Sequence, residues 1–284
     1  MRSVVKHGKL SSNTHALIGA GNMGGALLNG WLSEQGKGAL QAHEILVIDP
    51  SPGQAAKRAL QLGVKFSARL TKGSASGLKM CLLAIKPQSF GEIGPRLAAA
   101  LPKDTLVVSI MAGINLHTLS QIFTDRPIVR AMPNLPAAYG AGITAYVGNE
   151  CVTPEHLASA ELRLKAGGKV VRLESEREID MVTAVSGSGP GYVFYMTEAL
   201  AAAGEKLGLS SQLASELARQ TVIGSGVVLS RSSDSAEALR KSVTSPAGTT
   251  EAALDVIMDK DGLAKIMRAA VKAAYNRSRD LGKS

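Results

Sequence analysis

HALIGAGNMGGALLNGWL, residues 15–32, is the stretch that decides the fold. His15-Ala16-Leu17-Ile18 is a short apolar run. Gly19-Ala20-Gly21-Asn22-Met23-Gly24 follows at once, and Gly25 to Leu32 carries apolar residues at helical spacing. A strand, a glycine turn and a helix start, in that order, suit a dinucleotide. Gly19 permits the tight turn, Gly21 lets the backbone approach a pyrophosphate, and Gly24 lets helix and strand pack closely. The positive end of the helix then faces the phosphate charge. A glycine-rich turn in some other α/β protein has the same six residues. Here, however, a second apolar run, Glu44-Ile45-Leu46-Val47-Ile48, ends in Asp49, 25 residues after Gly24, where a ribose-binding carboxylate is expected.

Asp49 pulls in two directions. A carboxylate at this strand end accepts hydrogen bonds from the adenosine ribose and repels a 2′-phosphate. Yet Ser51 follows on the same loop, and Lys57 and Arg58 begin the next helical stretch, all suited to a phosphate. The same two basic residues also fit a plain solvated helix face. At this level NAD and NADP both stay open.

The chain of 284 residues is long for one domain and comfortable for two. With 45% hydrophobic and 19% charged residues it reads as an ordinary globular protein. The net charge of +9 is spread along the chain, and only 4% of residues are aromatic. Basic stripes and stacking platforms for nucleic acid are not evident, and an anionic cofactor with an anionic substrate accounts for the sign. Cys81 and Cys151 lack metal-ligand spacing, and the expectation is two buried reduced thiols in a cytoplasmic protein. No apolar run is long enough to span a bilayer, and no membrane partner is expected.

Residues 1–14 read as a loose N-terminal arm. From residue 15 to 174 short apolar runs alternate with helical stretches, which predicts a parallel sheet covered on both faces. Further strands are expected at 64–66, 80–85, 106–110, 128–131, 143–147 and 169–173, with helices near 53–62, 89–100, 115–123 and 154–165. From 175 to 284 the pattern is all-helical, with stretches at about 190–207, 211–229 and 264–281. The run Thr221 to Leu229 has no clear polar face, so it must be buried. A subunit interface and a self-contained bundle both meet that need.

Two small-residue stretches interrupt the helical part. Ser186-Gly187-Ser188-Gly189-Pro190-Gly191 reads as a break where backbone approaches a ligand or another chain. Val243-Thr244-Ser245-Pro246-Ala247-Gly248-Thr249-Thr250 precedes a helical run from Glu251 to Met258. Hydroxyls and free backbone N–H groups at a helix start form a carboxylate-sized anion site. An ordinary cap made by Thr249 or Thr250 fits the pattern as well.

Six blocks in order, LIGAGNMGGAL (17–27), AIKPQ (84–88), SIMAGI (109–114), RAMPNLPA (130–137), AVSGSGPGYVF (184–194) and VTSPAGTTEAA (243–253), make the chain resemble the pyrroline-5-carboxylate reductase family. The resemblance runs from about residue 15 to 281. It implies an α/β Rossmann-like N-terminal domain, an all-α dimerisation domain, and a homodimer or larger assembly of dimers. It implies that Gly19, Ala20, Gly21, Asn22, Met23 and Gly24 cradle the pyrophosphate. Ala84, Ile85, Lys86 and Pro87 would line the cofactor, with Met111, Ala112 and Gly113 near the nicotinamide. Ser245, Gly248 and Thr249 would hold the substrate carboxylate, and Thr250 would offer its hydroxyl to the ring nitrogen. With Ser51, Lys57 and Arg58 the family's habit tilts the cofactor to NADPH, NADH staying possible. Two departures stand out: Ala247 where the family commonly has glycine, and Gly191 where alanine is usual.

The expected activity is reduction of 1-pyrroline-5-carboxylate to L-proline, the last step of proline biosynthesis. Hydride transfer to a cyclic imine needs no metal and no strong nucleophile. His7, His15, His43, His117 and His156 have no metal or triad spacing, and a 2-hydroxy-acid dehydrogenase would need such an acid/base. Lys86 is a candidate general acid, although its place before Pro87 favours a cofactor-side role. The alternatives are a related imine or β-hydroxy-acid reductase and a non-catalytic dinucleotide-binding regulator, the latter favoured by Ala247.

Overall fold

A computed structural model describes residues 14–33 and 38–282. The expected N-terminal arm lies outside these residues except for Thr14, which belongs to the first strand and is buried. The chain divides into two compact units, Met1–Gly187 with Tyr275–Ser284, and Ser188–Ala274.

The first unit holds an eight-stranded sheet. In chain order the strands are β1 (Thr14–Ile18), β2 (Ile45–Ile48), β3 (Lys65–Ser67), β4 (Leu78–Leu83), β5 (Leu106–Ser109), β6 (Ile128–Met132), β7 (Gly142–Gly148) and β8 (Gly168–Arg172). The helices of this unit are α1 (Asn22–Trp31), α2 (Gln54–Gln61), α3 (Lys72–Ala75), α4 (Phe90–Ala100), α5 (Leu116–Ile122), α6 (Pro154–Leu164) and α7 (Arg177–Val182). The spatial order of strands is β3-β2-β1-β4-β5-β6-β7-β8, so the order reverses between β1 and β4.

The apolar strand runs follow from burial on both faces. Leu17, Val47, Leu82 and Val108 join one cluster with Leu27, Leu28 and Trp31 of α1 and Ala160 and Leu164 of α6. Their neighbours Ile18, Ile48, Leu83 and Val107 join the other, with Phe90 and Leu97 of α4 and Leu119 of α5. The two-residue period of a strand sends alternate side chains to opposite faces, and each face has its own helices.

One expectation about the sheet needs correcting. β7 runs antiparallel to β6, with Arg130 opposite Val147, whereas the other pairings are parallel. Residues 133–141 alone join the two strands, and they hold only a 3₁₀ turn at Leu135–Tyr139. A parallel return needs a crossover of about a dozen residues or more, so this connection can only double back.

The sheet ends at Arg172, close to the expected boundary at 174, but the compact unit continues to Gly187. Ile179 of α7 is fully buried against Met132 and Val147, which keeps the helix with the sheet. Cys81 is buried as expected, and burial pushes its thiol up to about 12. Cys151, expected to be buried, is instead exposed in the turn before α6.

The second unit contains α8 (Gly189–Lys206), α9 (Ser211–Arg231), α10 (Ala236–Ser242) and α11 (Thr249–Ile257). A last helix, α12 (Leu263–Leu281), begins in this unit and ends in the first. Gly204 lets α8 and α9 pack closely, since a Cβ there would lie 3.3 Å from that of Ala214. Among the described residues of this unit only Ala214 and Ala218 are buried. Phe194, Tyr195, Met196, Ile223, Val228 and Leu229 are all exposed. A self-contained bundle would cover such side chains, and this unit alone does not.

His15 in β1 is 6% exposed, and its Nδ1 has no partner among the described residues. Burial, aided by Arg163, lowers its pKa from 6.5 to about 4, with Glu44 acting weakly the other way. The unfolded chain therefore takes up a proton below 6.5 that the folded one refuses until about 4. Stability is complete above 6.5 and declines as pH falls through that window, by up to about 3 kcal/mol. Urea melts of wild type and His15→Gln between pH 7 and 4 should show a shallower decline in the variant. Equal declines would remove His15 as the cause.

Candidate active site

The loops at the carboxyl ends of β2, β1, β4 and β5 lie side by side. In-register pairs are Ile18 with Ile48, Ile18 with Leu83, and Leu83 with Ser109. Asp49, the turn Gly19–Gly24, Ala84–Pro87 and the loop from Ile110 therefore emerge along one edge, at the point where strand order reverses. In open α/β sheets that crevice is where ligands bind.

Sterics explain the glycines. Gly19 has φ +87, and a Cβ on it would lie 2.8 Å from the Ala84 carbonyl oxygen. A Cβ on Gly24 would overlap the Gly19 carbonyl and come within 3.0 Å of the Ala84 Cβ. Gly21 differs: a Cβ there meets no protein atom within 4 Å. Gly21 is also the N-cap of α1, with no side-chain cap and no acidic residue in the first turn. The unpaired N–H groups of Asn22 and Met23 thus open onto free space beside a bare backbone, which fits a pyrophosphate.

Asp49 is half-buried and engaged on both oxygens. Oδ2 accepts from the Ala20 N–H at 2.8 Å, and Oδ1 accepts from the Ser51 N–H at 2.8 Å. The carboxylate therefore ties the glycine turn to the β2–α2 loop, a role not legible from its position after a strand. Ser51 on the same loop, and Lys57 and Arg58 in α2, are exposed. Ala84 and Ile85 are half-buried, Pro87 opens a 3₁₀ turn, and Lys86 caps that turn with its side chain exposed. Met111 is buried, its N–H donating to Ser109 Oγ at 3.3 Å, while Ala112 is exposed and Gly113 takes φ +76. An open cleft of about 670 Å³ lined by Asn29, Ser33, Tyr139, Lys165 and Lys169 lies at the other end of α1 and touches none of these residues.

In the helical unit, the Ser245–Thr250 loop makes a tight turn, with the Gly248 N–H donating to the Ser245 carbonyl at 3.0 Å. Ala247 has φ +55, the left-handed region that favours glycine. Its Cβ is tolerated, and its N–H donates to Glu251 Oε2 at 2.6 Å. Gly248 is the N-cap of α11 and has no side-chain cap, so neither Thr249 nor Thr250 caps the helix. Both occupy the first turn, because the cap position falls on the glycine that closes the loop. Glu251 was missed by sequence reasoning, although its four-residue spacing from Ala247 is a readable signal.

The SGSGPG stretch is not a break between helices. Thr183–Gly187 forms a π-turn that runs into α8, a widening that recurs at functional sites. Asn134 ties this turn to the loop after β6: its Oδ1 accepts from the Ile143 N–H at 2.9 Å and its Nδ2 donates to the Ser186 carbonyl at 3.1 Å.

Residues 176–281 match the family model described as pyrroline-5-carboxylate reductase dimerisation, and residues 14–113 match NADP oxidoreductase, coenzyme F420-dependent. A pyrroline-5-carboxylate reductase of Synechocystis is 38% identical over 270 residues, covering 94% of this chain and 97% of its own. The chain belongs to the pyrroline-5-carboxylate reductase family. A Pseudomonas aeruginosa pyrroline-5-carboxylate reductase is 39% identical, covering 96% of this chain and 98% of its own. A Coxiella burnetii pyrroline-5-carboxylate reductase structure superposes with TM-score 0.86 at 32% identity, covering 96% of this chain and all of that one. A Plasmodium falciparum structure with NADP bound gives 0.78 at 26%, covering 95% and 98%. The family's fold is thus the one seen here, a Rossmann-like pyridine-nucleotide domain followed by helices.

Gly21→Val should leave the melting temperature within a few degrees of wild type and abolish nucleotide binding, because the new side chain fills only the space beside the α1 N-terminus. Gly24→Ala should instead destabilise by about 2 kcal/mol or more, since its Cβ overlaps backbone. Nucleotide titration and thermal melts on both variants check this. Undiminished binding by folded Gly21→Val would remove the pyrophosphate assignment.

Proposed function

We propose that this chain reduces 1-pyrroline-5-carboxylate to L-proline, the last step of proline biosynthesis, with NADPH as preferred donor and NADH as a second. The observation that carries the reading is the uncapped α1 N-terminus beside bare Gly21, set at the strand-order reversal of a chain from this family. Asn22 and Met23 hold the pyrophosphate through backbone N–H groups. Ala84, Ile85, Lys86 and Pro87 flank the cofactor, and Met111, Ala112 and Gly113 meet its nicotinamide end.

When bound, the reduced nicotinamide supplies a hydride to the imine carbon, turning C=N into CH–NH. The chain's own part is positioning. Ser245, Gly248 and Thr249 form the site for the substrate carboxylate. Ser245 offers its hydroxyl and Thr249 its N–H at the start of α11, while Gly248, its own N–H held by the Ser245 carbonyl, keeps the loop free of a side chain. The Thr250 hydroxyl orients the ring nitrogen, which takes its proton from solvent. For the cofactor, both Asp49 oxygens already serve backbone N–H groups, and exposed Ser51, Lys57 and Arg58 are suited to a 2′-phosphate. The NADP in the Plasmodium falciparum relative is consistent with this preference.

Because α11 is capped by Gly248, Thr250→Ala removes a hydroxyl without removing a cap. Its kcat for pyrroline-5-carboxylate should fall by roughly 10- to 1000-fold with a smaller change in KM, and Thr250→Ser should recover most of the rate. Following nicotinamide absorbance on all three proteins checks both substrate and role. A wild type that does not consume this imine sinks the substrate assignment, and near-normal kcat in Thr250→Ala sinks the catalytic one.

A second copy of the chain is the natural cover for the exposed apolar residues of α8 and α9, making a homodimer or an assembly of dimers. Light scattering at micromolar concentration should give at least twice the 29.5 kDa chain mass. A value near 30 kDa would exclude the shared interface.

A further inference from the structure

The loop after β5 is held by a ring of contacts that closes through the end of the chain. Asn115 caps α5, its Oδ1 accepting from the Thr118 N–H at 2.8 Å, while its Nδ2 donates to the Gly282 carbonyl at 3.4 Å. The Leu116 N–H donates to Glu176 Oε1 at 2.7 Å, and the same oxygen pairs with Arg130 Nη1 at 2.7 Å. One turn along α7, Asp180 Oδ1 accepts from Ser278 Oγ at 2.7 Å. The path thus runs from the loop to α7, from α7 to α12, and from the end of α12 back to the loop. All these residues belong to the first compact unit, which takes in the chain from Tyr275 onward.

The contact at Gly113 is backbone against backbone. A Cβ on Gly113 would lie 3.0 Å from the Leu281 carbonyl oxygen, and the three nearest atoms to it all belong to Leu281. With φ +76, Gly113 has the conformational freedom that a packed neighbour must restrain. The carbonyls at the end of a helix lack intrahelical partners, and Asn115 supplies a donor to the one just beyond α12.

We propose that the last turn of α12 is a positioning element for the β5–α5 loop, and that the end of the chain thereby sets how Met111–Gly113 meet the nicotinamide cofactor. The cofactor clause rests on the function proposed above. Asn115, Asp180 and Ser278 are positioning residues in this scheme. None of them touches the cofactor, and each fixes the loop through a neighbour.

Two substitutions in this chain each open one link. Asn115→Asp keeps the capping oxygen for Thr118 and replaces the donor facing Gly282 by an acceptor. Ser278→Ala removes the bond to Asp180. Amide hydrogen exchange is read over peptides covering residues 110–118, with NADPH dissociation constants and steady-state kinetics on the same samples. Exchange in 110–118 should rise by about 5-fold or more, the effect of one lost hydrogen bond, without a general rise elsewhere. NADPH Kd and KM should rise by a similar factor, with KM for the imine little changed.

Unchanged exchange in 110–118, or a rise spread over the whole chain, overturns the positioning role. Locally raised exchange with unaltered NADPH constants overturns the link from chain end to cofactor. If wild type binds NADPH and reduces no pyrroline-5-carboxylate, the proposed substrate fails while this test stands. If it binds no NADPH, the cofactor clause falls with the reading it rests on, and the exchange data still decide whether the chain end holds the loop.

Discussion

The close approach of the Gly19 turn to the Ala84 carbonyl is the constraint on which the first unit depends. The strand order reverses between β1 and β4, so the chain leaving each strand diverges and a crevice opens between them. To put a helix N-terminus at that crevice, the chain must turn sharply after Ile18 with no side chain pointing at β4. Gly19 satisfies this with a positive φ, and its N–H donates to the Ile48 carbonyl at 2.9 Å, tying the turn to β2 as well. Asp49 adds the second tie through Ala20. The uncapped end of α1 is the result: N–H groups of Asn22 and Met23 that the helix cannot satisfy itself, at an end whose dipole favours an anion.

The helical unit obeys the opposite logic. Its apolar residues are not collected on one stripe, and two alanines are its only buried side chains among the described residues. A helix lacking a polar face is stable in water only when something covers it. The unit leaves these side chains uncovered, and the match of residues 176–281 to a dimerisation model is why a second copy was proposed above as their cover. Phe194, Tyr195 and Met196 are exposed in consecutive positions on α8.

What could be read from residues was whatever rests on periodicity and on backbone sterics. The strands and the expected helices of the first unit lie within a few residues of their expected limits, because continuous apolar runs and amphipathic runs of period 3.6 are local signals; the short α3 and α7 were not expected. The reversal of β7 was hidden, since it follows from the length of one connection and not from any strand's composition. In the site, the glycine turn was legible because each glycine answers a steric need. Asp49 was legible as a position but not in what it binds: its partners, Ala20 and Ser51, are backbone N–H groups, which leave no mark on sequence. The same holds for Asn134, whose partners are main-chain groups of Ile143 and Ser186.

Ala247 shows how such a hidden partner resolves a conflict. A residue with a Cβ at φ +55 carries strain of about 1 kcal/mol relative to glycine, so on sequence alone it counts against a working substrate loop. The loop nonetheless closes onto the start of α11, because Glu251 accepts the Ala247 N–H and Gly248 packs against Ser245 where no larger residue fits. That hydrogen bond is charge-assisted, though exposed, and acts on the same residue that carries the strain. The departure from the family's glycine is therefore met by a partner within the same loop, and Gly248, not a side chain, remains the cap of α11.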